Sequence, residues 1–204
     1  MHLLVTLMAA SIASALPFMN FFNPQVDETL LHTEASYPMP LVPNNFELHG
    51  VLVRNTEDGE SFQKDFIEKW SSDLDLQYSW VGNKETGEQE EVFVRDYRKR
   101  TITGYRRDYA CREAPLTLDD KSIDDLITSH LHRGTIYHGM EAPPFKPEDT
   151  KEYHLLEKDR GYMYYDGETR EIKYTFNLEY SVHTVLGSFE EKAFTLTDFS
   201  IPKC

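Results

Sequence analysis

Cysteine is nearly missing from this chain: two residues in 204, Cys111 and Cys204. Long apolar runs are as scarce, and beyond the first 22 residues no segment offers the ~20 apolar residues that a membrane-spanning helix needs. No Gly-x-Ser-x-Gly elbow occurs, and no Cys has a recognisable His partner, so no residue nominates itself as a hydrolytic nucleophile. Carboxylates are too numerous for two to stand out as an acid and base pair. The sequence contains no Asn-x-Ser/Thr acceptor for N-linked glycan. Positive charge is in the minority, with 21 Lys and Arg against 35 Asp and Glu, a formal net charge of -14 and a pI near 4.9. Such a surface repels phosphate backbones and anionic lipid headgroups, which excludes nucleic acid as an expected partner. The one basic run, Arg95 to Arg100 ("RDYRKR"), reads as a solvated strand edge.

What is present begins with an uncharged N-terminus whose apolar stretch, Leu3 to Ala13, ends at Ala13-Ser14-Ala15. That small-x-small pattern after a short apolar core reads as a signal peptide over residues 1–15, and hence as secretion to the extracellular space. A retained anchor is the alternative, since the first residues lack the usual Lys or Arg. In an oxidising compartment the two cysteines are expected to form one disulfide, closing a loop of ~90 residues and adding on the order of 4 kcal/mol by the chain-entropy model. Two free thiols, or pairing with another chain, remain open. Residues 16–42 are rich in Pro and short polar side chains and read as an extended arm. Residues 43–204 are enough for one domain.

Within that domain the dominant period is two. "FELHGVLVR" puts Phe46, Leu48, Gly50 and Leu52 on one side. "LDLQYSWVG" alternates Leu74, Leu76, Tyr78 and Trp80 with Asp75, Gln77 and Ser79, and "EIKYTFNLEY" alternates Ile172, Tyr174, Phe176, Leu178 and Tyr180 with Glu171, Lys173, Thr175, Asn177 and Glu179. Each reads as a strand with an oily face and a wet face. Residues 62–70 fit either a strand or a helix face, and we read a strand. "EVFVRDYR", "TITGYRRDYAC", "GYMYY" and the closing "KAFTLTDFSI" read as further strands. Short polar turns between them imply an antiparallel meander. One segment has the helical period: Ile123, Leu126, Ile127 and Leu131 predict a helix over about 122–132, with Ser122 as N-cap and Asp124 and Asp125 in its first turn. "HGMEAPPFKPEDTKEYH", residues 138–154, follows as a long Pro-bearing loop of the kind that rims or lids a site.

His130, His132 and His138 lie close in sequence, but i and i+2 positions on a helix diverge, so no metal site is expected there. Acidic turns such as "NTEDGES" leave weak calcium binding open against plain solvation. No cofactor is implied. The twelve Tyr and twelve Phe are the strongest remaining signal, because they fall on strand faces while only one helix is available as cover. Either they pack as an ordinary core, or a curved sheet leaves room for a hydrophobic ligand lined by Trp70, Tyr78, Trp80, Tyr174, Phe176 and Tyr180.

Three stretches, "LVPNNFELHGVLV", "EVFVRDYRKRTITGYRRDYAC" and "FSIPKC", resemble the LolA-like domains of secreted animal proteins, which are related in fold to ependymins and bacterial lipoprotein carriers. The positions that carry the resemblance are Pro43, Phe46, Tyr97, Cys111, Pro202 and Cys204, all structural. The chain departs from ependymins in lacking their further cysteines and glycosylation sequons. The resemblance implies a strongly curved antiparallel sheet, a half-barrel packed around a helix, enclosing an apolar cavity, and no catalytic residue. The expected function is a secreted, non-enzymatic protein that binds a lipid-like or other hydrophobic small molecule, in an oligomeric state left open. The rival is an extracellular structural or adhesive protein with a packed core and an acidic, calcium-responsive surface.

Overall fold

Period-two patterning demands extended chain, and the described residues of the computed structural model are mainly antiparallel β-sheet with one α-helix. The structure describes residues 37–55, 61–83, 85–86, 88–106, 109–131, 134–158, 161–177, 182–201 and 204. The expected signal peptide, most of the N-terminal arm and the greater part of the "NTEDGES" turn therefore lie outside the described residues. The strands are β1 (Asn45–Asn55), β2 (Ser61–Ser71), β3 (Leu76–Asn83), β4 (Glu88–Asp96), β5 (Thr101–Arg106), β6 (Tyr109–Pro115), β7 (Ile136–Glu141), β8 (Tyr153–Lys158), β9 (Gly161–Tyr165), β10 (Ile172–Asn177) and β11 (Val182–Glu191). The helix, α1, is Ile123–Leu131. Strand order is β6-β5-β4-β3-β2-β1-β11-β10-β9-β8-β7, so the sheet is open, with β6 and β7 at its ends.

The ambiguous 62–70 run is strand, as read. Three readings are corrected. "TITGYRRDYAC" is divided between β5 and β6. The start of the Pro-bearing run is the edge strand β7, bulged between Tyr137 and Gly139, where Gly139 takes φ 100. Its apolar residues Ile136 and Met140 are exposed and the bulge interrupts the alternation, which is why the sequence reads as loop. The closing "KAFTLTDFSI" is not a strand: Asp198 Oδ2 accepts from the Thr195 amide at 2.8 Å and fixes a short 3-10 turn, Leu196–Phe199. The last strand is instead β11.

The chain divides into two compact units. One comprises residues 42–51, 64–129 and 187–204. In it Phe46, Leu48, Phe66 and Trp70 are buried, as are Ile123 and Leu126 of the helix. The N-terminus of α1 is satisfied as its sequence anticipates: Ser122 Oγ accepts from the Asp125 amide at 3.1 Å, and Asp125 Oδ2 reaches back to the Lys121 amide at 3.0 Å. Asp75 Oδ1 takes the Ile123 amide at 2.8 Å, which ties the helix start to the β2–β3 turn. Arg100 donates to the carbonyls of Asp120, Leu116 and Leu118 and so anchors the segment that leads into α1. Gly104 lies opposite Phe93, and a Cβ there would sit 2.4 Å from the Phe93 ring. Only glycine lets that ring lie across β5.

Cys111 in edge strand β6 is bridged to the terminal Cys204, with Cα atoms 5.4 Å apart and a sequence separation of 93. The bridge constrains both the edge and the chain end. Replacing both cysteines by Ala is expected to lower the unfolding free energy by about 4 kcal/mol. Urea denaturation of the two forms under non-reducing conditions measures it; coincident curves would contradict this account.

Candidate functional site

The second unit is built mainly on residues 130–186. Its register sets Tyr164 beside both Leu155 and Tyr174, and Phe176 beside both Tyr162 and His183. Directly opposed residues share a face, so β8 to β11 present a continuous aromatic surface. The loop of residues 142–152 lies on it through Phe145. That ring stacks on Phe176 (5.3 Å between centroids, 22°) and on His183 (4.7 Å, 23°). The same ring meets Tyr164 (5.5 Å, 83°) and Tyr174 (5.9 Å, 76°) edge-on. Phe176 and His183 thus form a flat floor, and the two tyrosines form walls. Burial holds the His183 imidazole below its ordinary pKa, with Lys146 acting in the same direction, which keeps the floor uncharged.

A polar latch completes the contact. Asp149 Oδ2 accepts from Tyr153 Oη at 2.8 Å and from Tyr174 Oη at 2.6 Å. These bonds, led by the one from Tyr174, hold the Asp149 carboxyl below its usual value. Lys151 pairs with Asp166 at 2.5 Å, and Asp166 also caps the Asp-Gly turn by accepting from the amides of Glu168 and Thr169 at 2.8 and 2.9 Å. Both ends of the loop are therefore tied to the sheet by a few specific contacts.

Of the residues expected to line a ligand site, Tyr174 and Phe176 stand in this surface and Tyr180 lies outside the described residues. Phe145, Asp149, Tyr164 and His183 were not singled out from the sequence. The sequence signal for Phe145 and Asp149 is the Pro-bearing loop itself, whose one Phe and two adjacent acids, Glu148 and Asp149, stand in "PPFKPED"; Tyr164 and His183 lie outside it. The division of β10 into oily and wet faces also needs correcting. Thr175 and Asn177 are 5% and 3% exposed, whereas Tyr174 and Phe176 are only half-buried. Threonine pairs such as Thr175 opposite Thr184 are compact and β-branched, and pack well inside a sheet.

The same inversion occurs in the other unit. Trp70 pairs with Gln77 and Lys69 with Tyr78, so Trp70 stands on one face of β2–β3 while Tyr78 and Trp80 stand on the other. Tyr78 and Trp80 are half-buried, and the Lys69 ammonium lies 5.0 Å from the Tyr78 ring centroid. The deeper face carries Gln77 and Ser79, each 1% exposed, with Glu68 at 2% and Arg95 at 3%. Glu68 Oε2 accepts from Trp70 Nε1 (2.9 Å), Ser79 Oγ (3.1 Å) and Gln77 Nε2 (3.4 Å), and Gln77 Oε1 accepts from Arg95 (3.3 Å) and Tyr97 (3.4 Å). The set is buried with most of its polar atoms paired to one another, while Glu68 Oε1 is buried without a partner among the described residues.

Among the described residues no three His, Cys, Asp or Glu side chains converge as metal ligands. His138 Nε2 lies 2.5 Å from Glu157 Oε2, while His132 and the ring of His130 fall outside the described residues.

Burial outweighs the hydrogen bonds and the Arg95 charge at Glu68 and pushes its carboxyl from 4.5 up to about 7. The folded chain then keeps a proton that the unfolded chain has lost, so this group makes stability fall as pH rises from about 4.5 to about 7 and leaves it lower above that. The amount is on the order of 3 kcal/mol. E68Q keeps the shape and removes the titration. In urea denaturation it is expected to gain stability over the parent at about pH 8 and to match it near pH 4.5, and parallel profiles across that window would contradict the assignment.

No family model and no curated protein matches this chain. Among solved structures it is similar to the crystal structure of a LolA superfamily protein from Nitrosomonas europaea, at 8% identity and a TM-score of 0.39, over 95% of this chain and 97% of that one. The likeness concerns the LolA side of the resemblance read from the sequence, says nothing of ependymins, and at that score carries no functional inference.

Proposed function

We propose that this chain is a secreted, non-enzymatic binding protein that holds a hydrophobic small molecule against the aromatic face of β8–β11, beneath the loop of residues 142–152. The observation that carries the reading is the seat of Phe145: a slot of four rings, floored by Phe176 and His183, is filled by one side chain from a loop and not by a regular element. Loops open locally at a lower free-energy cost than the strands they cover. A slot covered in this way offers apolar area to a ligand that displaces the loop. Secretion is supported by the apolar N-terminus with its Ala13-Ser14-Ala15 pattern and by the Cys111–Cys204 bridge, which suits an oxidising compartment. Among the described residues no helix is long and apolar enough to cross a membrane.

Protein produced in a lipid-containing secretory host is expected to carry an adduct in native mass spectrometry that organic extraction removes. The extracted protein should take up an apolar fluorescent probe, and F145A should take it up more tightly, by about tenfold, because the ligand no longer competes with the chain's own ring. A clean apo mass together with no probe uptake by either form would overturn the proposal and favour the rival, a structural extracellular protein whose aromatic face is permanently sealed.

A further inference from the structure

The loop of residues 142–152 brings two chemically different groups to the sheet, and Tyr174 touches both. The edge contact of its ring meets Phe145, and its hydroxyl donates to Asp149 at 2.6 Å. Tyr153 supplies the second hydroxyl to the same carboxylate oxygen at 2.8 Å, and its ring packs edge-on against Tyr174 at 5.5 Å and 87°. The surface therefore already receives a flat ring and, one tyrosine away, a carboxylate. From this juxtaposition we infer that the slot is a site for an aromatic carboxylic acid, in which Phe145 and Asp149 stand where the ligand's ring and carboxylate would be held. The inference rests on the reading of the slot as a ligand site and specifies its chemistry.

Three features favour this class over a simple acyl chain or a neutral amphiphile. The near-parallel floor of Phe176 and His183 suits a planar ring, with interplanar angles to Phe145 of 22° and 23°. Two convergent phenolic hydroxyls match an ionised carboxylate, whose acceptor oxygens take charge-assisted bonds. The Asp149 carboxyl, held below its usual value by those hydroxyls, reports the same preference for the ionised form. The overall charge of -14 opposes an anionic ligand only at long range. Long-range repulsion is screened beyond about 8 Å at physiological ionic strength.

The test uses the full chain with both self-occupying groups removed, F145A together with D149S, and isothermal titration with naphthylacetate, naphthylethanol and decanoate. Naphthylacetate is expected to bind the double variant about tenfold or more tightly than it binds the parent, since the parent must first open its loop. It should also bind about tenfold more tightly than naphthylethanol or decanoate. Adding Y153F or Y174F should abolish the preference for the acid over the alcohol while leaving naphthylethanol binding in place. Equal affinity for acid and alcohol, or tighter binding of decanoate, would overturn the inference and leave the hydrophobic-ligand reading standing. Binding of none of the three to a folded double variant would overturn both. Should the double variant fail to fold, F145L together with D149S keeps apolar volume in the loop while still vacating the carboxylate position, and is titrated with the same three compounds under the same criteria.

Discussion

Antiparallel register is the constraint on which every other feature of this chain depends. Because successive side chains along a strand alternate between faces, the pairing of one residue decides the face of all the rest, and a slip by one would exchange them. The pairing of Phe176 with His183 creates the flat floor under Phe145, and the pairing of Tyr164 with Tyr174 creates its walls. In the other unit, the pairing of Trp70 with Gln77 delivers the indole N–H to Glu68 and sends Tyr78 and Trp80 to the far side. The two groupings come from one rule applied to different strands.

They differ in what the burial costs. The Phe145 slot is assembled from rings whose contacts are individually weak and sum over area, with one carboxylate shared by two hydroxyls at its margin. The Glu68 set places an ionisable group at 2% exposure, where desolvation exceeds the help given by Trp70, Ser79, Gln77 and Arg95. Such a group lowers stability near neutral pH while fixing the geometry of its neighbours. The slot has no such penalty: its polar partner, Asp149, lies at the margin and ionises readily. A cover supplied by a loop, with its ionised group at the margin, is suited to exchange with a ligand; a fully enclosed network is suited to holding strands in place.

Much of the architecture was legible from residue order. Alternation in "FELHGVLVR" and "LDLQYSWVG" anticipated β1 and β3, Ser122 was readable as a cap, and the Asp-Gly turn before β10 sits where Asp166 and Gly167 place it. Two cysteines in an otherwise thiol-free chain left one intramolecular pairing to choose, and the bridge is that pairing. The edge strand β7 was not legible, because Ile136 and Met140 are exposed and a bulge interrupts its alternation. Nor was the end of the chain, where the local Thr195–Asp198 contact overrides an alternating pattern.

The sequence by itself determined the secondary-structure class and the position of the helix, since each depends on neighbours a few residues apart, and it allowed a single intramolecular pairing for the disulfide, which the structure shows formed. Tertiary structure alone decided which face of β3 and β10 is deeply buried. Gln77, Ser79, Thr175 and Asn177 read as wet and lie inside: Gln77 and Ser79 find a partner in Glu68 on the neighbouring strand, whereas Thr175, its hydroxyl unpaired among the described residues, lies opposite the likewise buried Thr184. Tertiary structure alone also seated Phe145 on Phe176 and His183, 31 and 38 residues away, at a distance no local pattern can encode.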